Sequence, residues 1–352
     1  MGGNGVGRRA FIGSFTSAGG SGITAAAVDP ETGALTVLGA TDTVPDPSFL
    51  APAPDGAALY AVSETGHGAA AAFDISGELP RPAGEVRPVD GEAPTHLALA
   101  GGHLVTANYG SGSVTTVPVL ADGTLGAAVS VLRHQGGGPD PDRQEGPHAH
   151  QVLPDPSGNW VLSVDLGTDS VRVCALDAHT GALRVHSETP LRPGTGPRHL
   201  AFHPGGGHAY VVNELEPTVT VCHWDSSAGT LEPLGETALL PDDAVTDPEV
   251  RVYPSEIVVA PGGRFVWTAN RGHDSISVLA LDATGERLSL VTTVDCGGHW
   301  PRDLALDPTG RWLYAANERS GDVSWFGVDP ATGVPALAGS VDVPAASCVV
   351  FV

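Results

Sequence analysis

The sequence predicts an all-β protein, a seven-bladed β-propeller whose single domain occupies residues 1–352. Three observations lead to this prediction: a Pro-led segment that recurs along the chain, turns at matching places after it, and a composition suited to many short strands. The chain holds 47 Gly and 30 Pro, and 41% of its residues are apolar. Gly and Pro at this level mark turns, and the apolar share is large enough for a core.

Seven segments begin with Pro and continue into a short apolar strand. They begin at Pro47, Pro94, Pro147, Pro197, Pro254, Pro301 and Pro344, so the steps between them are 47, 53, 50, 57, 47 and 43 residues. A tight turn such as Asp155-Pro156-Ser157-Gly158 follows most of them, and a second strand, an alternating third strand and a fourth strand come after it. Four short antiparallel strands in each unit of this length are typical of a propeller blade.

The seventh blade is predicted to be split between the two ends of the chain. Its first strand would be Ser347 to Val352, and its other three strands would come from Arg9 to Val44. Such a closure joins the chain ends and removes the exposed sheet edges that an open ring would leave.

The charge of the chain limits its partners. The 17 basic residues are all Arg, against 40 acidic residues, which gives a formal charge of −23. Such an acidic surface repels phosphate backbones and anionic lipids, so we expect no nucleic-acid or membrane partner. Without Lys, Schiff-base chemistry is excluded, and any anionic substrate must be held by Arg.

The two remaining compositional features concern the N-terminus and the cysteines. Met1 to Phe11 is Gly-rich and leads into no apolar stretch of the secretory type, so the sequence predicts a soluble, cytoplasmic protein. Cys174, Cys222, Cys296 and Cys348 form no Cys-x-x-Cys pair and are expected to be buried thiols. We expect no metal, no cofactor, and a monomer or weak homo-oligomer.

The chemistry is expected at one rim of the central channel. Because the first two strands of a blade are antiparallel, the start of the first and the end of the second meet at the same end. Asn108, Asn213, Asn270 and Asn317 each end a second strand. Their repetition favours a turn-capping role, although Asn108 is kept as a candidate for substrate contact.

Residues that differ between blades are the stronger candidates for function. On this rim the sequence places His148, His150, Arg198, His199, Glu214, Glu256, Arg271, Arg302, Asp303 and Glu318. For the two histidines of the third blade, a general-base or hydrogen-bonding role is favoured over a metal site, since no third ligand is in register. Arg198 and Arg271 suggest an anion clamp, with a structural salt bridge as the alternative. His150, His199, Glu256 and Arg302 are candidates for substrate binding.

Two steps between blades are longer than the others. The additional residues lie near Arg133 to Gly146 and near Glu236 to Tyr253, each directly before a first strand and therefore on the same rim. The first carries Gly136-Gly137-Gly138-Pro139 and Arg143-Gln144-Glu145. It would form either a flap over a pocket or a disordered surface loop.

Four segments carry a resemblance to a known family. They are Gly146-Pro147-His148-Ala149-His150-Gln151, Gly196-Pro197-Arg198-His199-Leu200-Ala201-Phe202, Asn213-Glu214-Leu215 and Asn270-Arg271-Gly272-His273-Asp274-Ser275-Ile276. They are similar to the motifs of the bacterial 6-phosphogluconolactonase-like seven-bladed propellers, a family that includes fungal carboxy-cis,cis-muconate cyclase. The resemblance extends from Phe11-Ile12-Gly13-Ser14-Phe15-Thr16 to the closing strand and specifies the family, not the substrate.

The resemblance implies a metal-independent site made of His148, Arg198, Glu214 and Arg271. Asp165-Leu166-Gly167 departs from the pattern and adds an acid nearby. The leading hypothesis is hydrolysis of a sugar-acid lactone, with 6-phosphogluconolactone first among the substrates; either His148 or Glu214 would activate water. Two alternatives remain, a cycloisomerase that closes a muconate to a lactone and a propeller that binds a ligand without catalysis.

Overall fold

The computed structural model describes residues 8–245 and 249–352, and within them it forms seven four-stranded antiparallel sheets. This confirms the predicted seven-bladed propeller. The blades are numbered by the Pro-led segment that precedes each first strand. The expectation that no secretory segment begins the chain rests in part on residues 1–7, which lie outside this range, as do residues 246–248 of the second insertion.

Each blade follows chain order from its innermost strand outwards. Blades one and two are β4 (Leu50–Pro52), β5 (Ala58–Ser63), β6 (Ala69–Asp74), β7 (Arg81–Pro88) and β8 (Pro94–Ala100), β9 (His103–Asn108), β10 (Ser113–Pro118), β11 (Ser130–Arg133). Blades three and four are β12 (Ala149–Pro154), β13 (Val161–Asp165), β14 (Ser170–Leu176), β15 (Leu183–Pro190) and β16 (Pro197–Phe202), β17 (His208–Asn213), β18 (Thr218–Asp225), β19 (Thr230–Ala238).

The remaining blades complete the ring. Blades five and six are β20 (Tyr253–Val259), β21 (Phe265–Arg271), β22 (Ser275–Leu281), β23 (Leu288–Asp295) and β24 (Pro301–Leu306), β25 (Trp312–Asn317), β26 (Asp322–Val328), β27 (Pro335–Asp342). Blade seven is β28 (Ala346–Phe351), β1 (Arg9–Ser14), β2 (Ile23–Val28) and β3 (Leu35–Thr41). Among the described residues the helical content is a single 3-10 turn, Thr16–Ala18, and no helix has the length and apolar character needed to cross a membrane.

The predicted closure of the ring is confirmed. Strand β28 pairs antiparallel with β1, with Phe11 opposite Val350 and Gly13 opposite Cys348. The backbone N–H of Arg9 donates to the carbonyl of Val352 at 3.0 Å. The last strand of the chain therefore supplies the innermost strand of a blade whose other three strands come from the first residues described.

The core consists of apolar layers between neighbouring blades. In β21, Trp267 and Ala269 pack towards blade six, whereas Val266 packs towards blade four. Every residue of this strand is buried, because each sheet is covered on both faces by its neighbours. The second strands therefore read as continuous apolar runs instead of alternating ones.

Five first strands carry a pairing irregularity directly after the Pro-led segment begins. The residues that the register skips are Thr95, His150, Arg198, Ser255 with Glu256, and Arg302. An unpaired residue in a strand redirects its side chain, and such bulges are common beside active sites. The Pro-led repeat is thus also a repeated bulge, and it supplies several of the candidate residues.

Candidate functional site

Glu214 lies at the centre of a charged cluster on the rim. It follows β17 directly, and its N–H donates to the carbonyl of Gly196 at 2.7 Å. Its Oε1 accepts a hydrogen bond from Arg143 Nη2 at 2.6 Å, and its Oε2 lies 2.8 Å from Arg271 Nη2 and 3.1 Å from Arg198 Nε. We call these four residues the arginine cluster. Within the described part of the chain, its three guanidiniums share one carboxylate.

The arginine cluster fixes the charge of Glu214. Burial alone would raise the pKa of this carboxyl group, but Arg271, Arg198 and Arg143 outweigh that effect and lower the pKa to about 2. Glu214 is therefore ionised throughout the neutral range. A carboxylate that is this weakly basic and already bonded to three cations is poorly suited to take a proton from water.

Contacts with backbone carbonyls and aromatic rings position the two predicted clamp arginines. Arg198 stands in the bulge of β16 and donates to the carbonyl of Ser255 at 2.6 Å. Arg271 ends β21, donates to the carbonyl of Tyr253 at 3.1 Å, and lies over the rings of Tyr253 and Trp300 at 5.9 and 5.7 Å. Backbone carbonyls and aromatic faces thus orient both guanidiniums towards Glu214.

His148 is fixed in one tautomer. Its Nδ1 lies 2.9 Å from the carbonyl oxygen of Tyr109, which accepts but cannot donate, so Nδ1 carries the hydrogen. In the neutral ring, Nε2 then holds the lone pair, and Oε1 of Glu145 lies 3.3 Å from it, a contact that becomes an ion pair once the ring takes up a proton. The imidazole is stacked on the Tyr109 ring at 4.4 Å. This is the arrangement of a general base.

Asp165, the acid that departs from the family pattern, supports the site from inside. Its Oδ1 accepts the backbone N–H of His148 at 2.9 Å, and its Oδ2 lies 2.5 Å from His134 Nδ1 and 3.3 Å from Arg172. Burial would raise the pKa of Asp165, but the hydrogen bond and charge of His134 lead the contributions that lower it. Asp165 holds the main chain of His148 in place.

The channel below Arg198 contains a second group of buried polar residues. His199 Nδ1 lies 2.6 Å from Glu256 Oε2, and Glu256 is hydrogen-bonded to Asp303. Burial raises the pKa of Glu256 to about 7 and also raises that of Asp303, which the Glu256 charge raises further. The two carboxyl groups thus share a proton near neutral pH.

The histidines of the channel are neutral. Burial and the nearby Arg198 lower the pKa of both His150 and His199 well below its usual value. Their rings meet edge to face at 5.1 Å. Both residues are buried inside the channel, and their proposed contact with substrate stays a prediction.

Two further candidates lie apart from Glu214. Arg302 is placed between Glu318 at 3.3 Å and Glu64 at 3.6 Å. Asn108 is fully buried, and its amide donates to Ser113 and Thr115 at 3.1 and 2.9 Å. Asn213 and Asn270 make the equivalent bonds in their own blades. These contacts support a role for Asn108 in the blade and give no support to one in substrate binding.

The first insertion brings two residues to the site to which the sequence assigned no role. Gln144 is buried, and its amide donates to the carbonyl of Leu166 at 2.8 Å. The residues on either side then diverge, Arg143 to Glu214 and Glu145 to His148. Of the two alternatives for this insertion, the contacts favour a flap over the site. A signal was present, since an Arg in a Lys-free acidic chain lies directly before the His-bearing strand.

Metal donors are not gathered into a site in the described part of the chain. No group of three or more His, Cys, Asp or Glu residues there is arranged to hold a metal ion. The four cysteines are buried and unpaired with one another, as predicted. Metal independence itself stays a prediction.

The rim of this propeller combines a histidine oriented by a carbonyl, a buried glutamate and converging arginines. Such a site indicates that the protein belongs to the class of β-propeller enzymes. The family model described as lactonase, 7-bladed beta-propeller, matches residues 9–351, and the chain belongs to this family.

Particular relatives cover nearly the whole chain or all of it. The 6-phosphogluconolactonase of Bacillus subtilis is 36% identical over 348 residues, 97% of each chain. Among solved structures, a putative 6-phosphogluconolactonase of Bacteroides fragilis is 28% identical with a TM-score of 0.91, over 100% of this chain and 99% of the other. The periplasmic gluconolactonase of Pseudomonas aeruginosa is 29% identical with a TM-score of 0.91, over 98% and 99%.

Proposed function

We propose that this protein is a lactone hydrolase that converts 6-phosphogluconolactone to 6-phosphogluconate. The observation that carries the proposal is the arrangement of His148, whose Nε2 carries the lone pair of the neutral ring because Nδ1 donates to a carbonyl. The full-length similarity to a 6-phosphogluconolactonase supports the choice of substrate. The negative charge of the substrate's phosphate is matched by the surplus of guanidinium groups around Glu214.

In the proposed reaction, His148 Nε2 takes a proton from a water molecule whose oxygen adds to the lactone carbonyl. The tetrahedral oxyanion then expels the ring oxygen, which receives the proton from His148 and becomes a hydroxyl group. Arg198 and Arg271 stabilise the developing negative charge and hold the anionic group of the substrate. Glu214 keeps these two arginines in place and does not exchange protons, because its pKa is about 2.

Cyclisation of a muconate would use the same arginines, but nothing in the site favours it over hydrolysis. For a non-catalytic propeller, the rim arginines should be fully neutralised by acids. Arg302 meets two acids, whereas Arg198, Arg271 and Arg143 share Glu214. A surplus of positive charge in a protein of formal charge −23 favours an anion site.

We place the protein in the cytoplasm, as a monomer or weak homo-oligomer without cofactor or nucleic acid. Free buried thiols suit a reducing compartment, and the acidic surface repels nucleic acid. One solved relative is a periplasmic enzyme, so fractionation of the native host is the direct test of this placement.

The proposed function is tested with purified protein and 6-phosphogluconolactone. Wild type should hydrolyse it well above the spontaneous rate. His148→Asn should lower kcat by about 10²- to 10⁴-fold, the usual contribution of a general base. His179→Asn is the matched control, because His179 is exposed in the turn between β14 and β15, at the far end of the same blade. Equal rates for both variants would rule out His148 as the base.

Metal independence has its own test. Dialysis against EDTA should leave the rate of lactone hydrolysis unchanged, because the proposed steps use only side chains. A loss of rate that zinc, calcium or magnesium restores would show that the mechanism is wrong.

A further inference from the structure

Arg143 differs from the other two arginines of the cluster in its exposure. Its side chain is 28% exposed, against 4% for Arg198 and 7% for Arg271. The Nη2 atom of Arg143 donates to Oε1 of Glu214 at 2.6 Å and to the Tyr109 hydroxyl at 3.2 Å. The guanidinium also lies 5.5 Å from the centre of the Tyr253 ring. The remaining donors of this partly exposed cation are available to a ligand entering from solvent.

The charge of the cluster suits a doubly charged ligand. Three guanidiniums around the carboxylate of Glu214 leave two positive charges in excess. Of the acids on the same loop, Glu145 lies against His148 and Asp140 pairs with Arg251. A phosphate monoester carries about −1.5 to −2 charges near pH 7, and a guanidinium fork matches its oxygens.

The loop allows Arg143 to change partners while its backbone stays in place. The buried Gln144 anchors the chain next to it, and Arg251 pairs with Asp140 at 2.9 Å on the outer side. If Arg143 turned away, Glu214 would keep Arg271 at 2.8 Å and Arg198 at 3.1 Å. The carboxylate would therefore remain paired inside the protein.

We propose that Arg143 is the residue by which this site distinguishes a phosphorylated sugar lactone from its unphosphorylated counterpart, exchanging its bond to Glu214 for one to the phosphate. This inference rests on the proposed function, since it names the substrate group that the same site recognises. Arg198 and Arg271 stabilise the reacting carbonyl and contact the anionic group from inside the site, and Arg143 adds the solvent-side bond to the phosphate on which most of the preference depends.

The test compares binding of 6-phosphogluconate and gluconate to the full-length protein by isothermal titration calorimetry. Wild type should bind the phosphorylated acid at least about tenfold more tightly, which is the effect of a charge-assisted hydrogen bond. Arg143→Ala should lose most of this preference while its affinity for gluconate changes little. Arg192→Ala is the control, because it also removes an exposed rim arginine, one that pairs with Glu216 and Glu236.

Three results would overturn the inference: no preference for the phosphate in wild type, an unchanged preference in Arg143→Ala, or an equal loss in Arg192→Ala. Rates on 6-phosphogluconolactone and gluconolactone are measured in parallel. Absence of hydrolysis together with Arg143-dependent binding would refute the proposed function and leave this inference standing. Hydrolysis with a phosphate preference that Arg143→Ala does not alter would do the reverse.

Discussion

At the scale of single residues, the site is decided by which partner each charged group meets. Glu214 and His148 were equivalent candidates for the base when only the residue types were known. The three arginines around Glu214 lower its pKa to about 2, whereas the Tyr109 carbonyl leaves a lone pair on His148 Nε2. The neighbours, not the residue types, separate the two roles.

The clamp arginines give a prediction that depends on substrate charge. Arg271→Ala should lower kcat/KM on 6-phosphogluconolactone by at least about tenfold, because a charge-assisted hydrogen bond contributes on the order of 1.5–3 kcal/mol. Loss on gluconolactone should be smaller, and Arg198→Ala should behave in the same way. Arg311→Ala is the control, since Arg311 is exposed at the opposite end of blade six and bonds to the carbonyl of Pro30. Similar effects from Arg311→Ala and Arg271→Ala, or equal losses on both lactones, would exclude the clamp.

Glu214 should also determine stability in acid. Its pKa falls from 4.5 to about 2 on folding, so its contribution is fully present above about pH 4.5 and disappears as the pH falls towards 2. A shift of this size corresponds to about 3 kcal/mol. Glu214→Gln should therefore lower the free energy of unfolding by about 3–5 kcal/mol at pH 7, since it leaves buried arginines unpaired.

Urea denaturation between pH 7 and pH 3.5 measures this effect, and the gap between Glu214→Gln and wild type should narrow in acid. Glu216→Gln is the control, because Glu216 forms an exposed pair with Arg192 that contributes at most about 1 kcal/mol. A gap that is constant over this pH range would contradict the assignment of the low pKa.

At the scale of secondary structure elements, polar contacts between the innermost strands link successive blades around the channel. His199 of β16 contacts Glu256 of β20, which is hydrogen-bonded to Asp303 of β24. Asp303 accepts the backbone N–H of Val349 in β28 at 2.8 Å. The carboxyl groups of Glu256 and Asp303 thus connect four blades. These two groups can lie side by side because they share a proton.

The contact between Glu256 and Asp303 should make the folded protein less stable at high pH. Because both carboxyl groups have a raised pKa when folded, the folded state retains protons that the unfolded chain has lost, so stability falls as the pH rises from about 4.5 through about 7 and above. Glu256→Gln removes the charge, and its side-chain amide can still accept the N–H of Ile257 and donate to Asp303. Its melting temperature should exceed that of wild type by about 2–5 °C at pH 9 and by less at pH 5.5.

Differential scanning calorimetry at the two pH values tests this expectation. The exposed Glu232 of β19 provides the control, as Glu232→Gln should follow wild type at both pH values. Were Glu256→Gln less stable than wild type at pH 9, the pair would not share a proton.

At the scale of the whole molecule, the ring depends on the pairing of β28 with β1. Phe11 and Cys348 are both fully buried in the same core cluster, although the two chain ends supply them. Two reciprocal backbone hydrogen bonds between Arg9 and Val352 extend the strand pair at one end. No other connection in the described blades joins the two ends of the chain within a sheet.

Removal of Ser347 to Val352 should therefore open the ring. The truncated protein would expose the apolar faces of blades one, six and seven together with the unpaired edge of β1, so we expect insolubility or a large loss of stability. Thermal melting and size-exclusion chromatography would measure it. A truncated protein that melts like the full-length chain would contradict the closure.

The sequence by itself determined the number of blades, the closure of the ring and the residues that lie on its rim. Strand alternation, Pro-led segments and Asp-Gly turns are local signals with a fixed spacing, so the number of blades and the split of blade seven could be predicted. The position of His148, Arg198, Glu214 and Arg271 on one rim follows from the same repeat, because antiparallel pairing places equivalent positions of all blades at one end.

Only the tertiary structure decided which role each of those residues has. Arg143 and Glu214 are 71 positions apart, and His199 and Glu256 are 57 apart, so no local pattern encodes either contact. The pKa of a buried group depends on the distance and solvation of such partners. The repeat could place charged residues on the rim, but which of them are paired, which share a proton and which face solvent was settled by the packing of neighbouring blades and by the loop that carries Arg143.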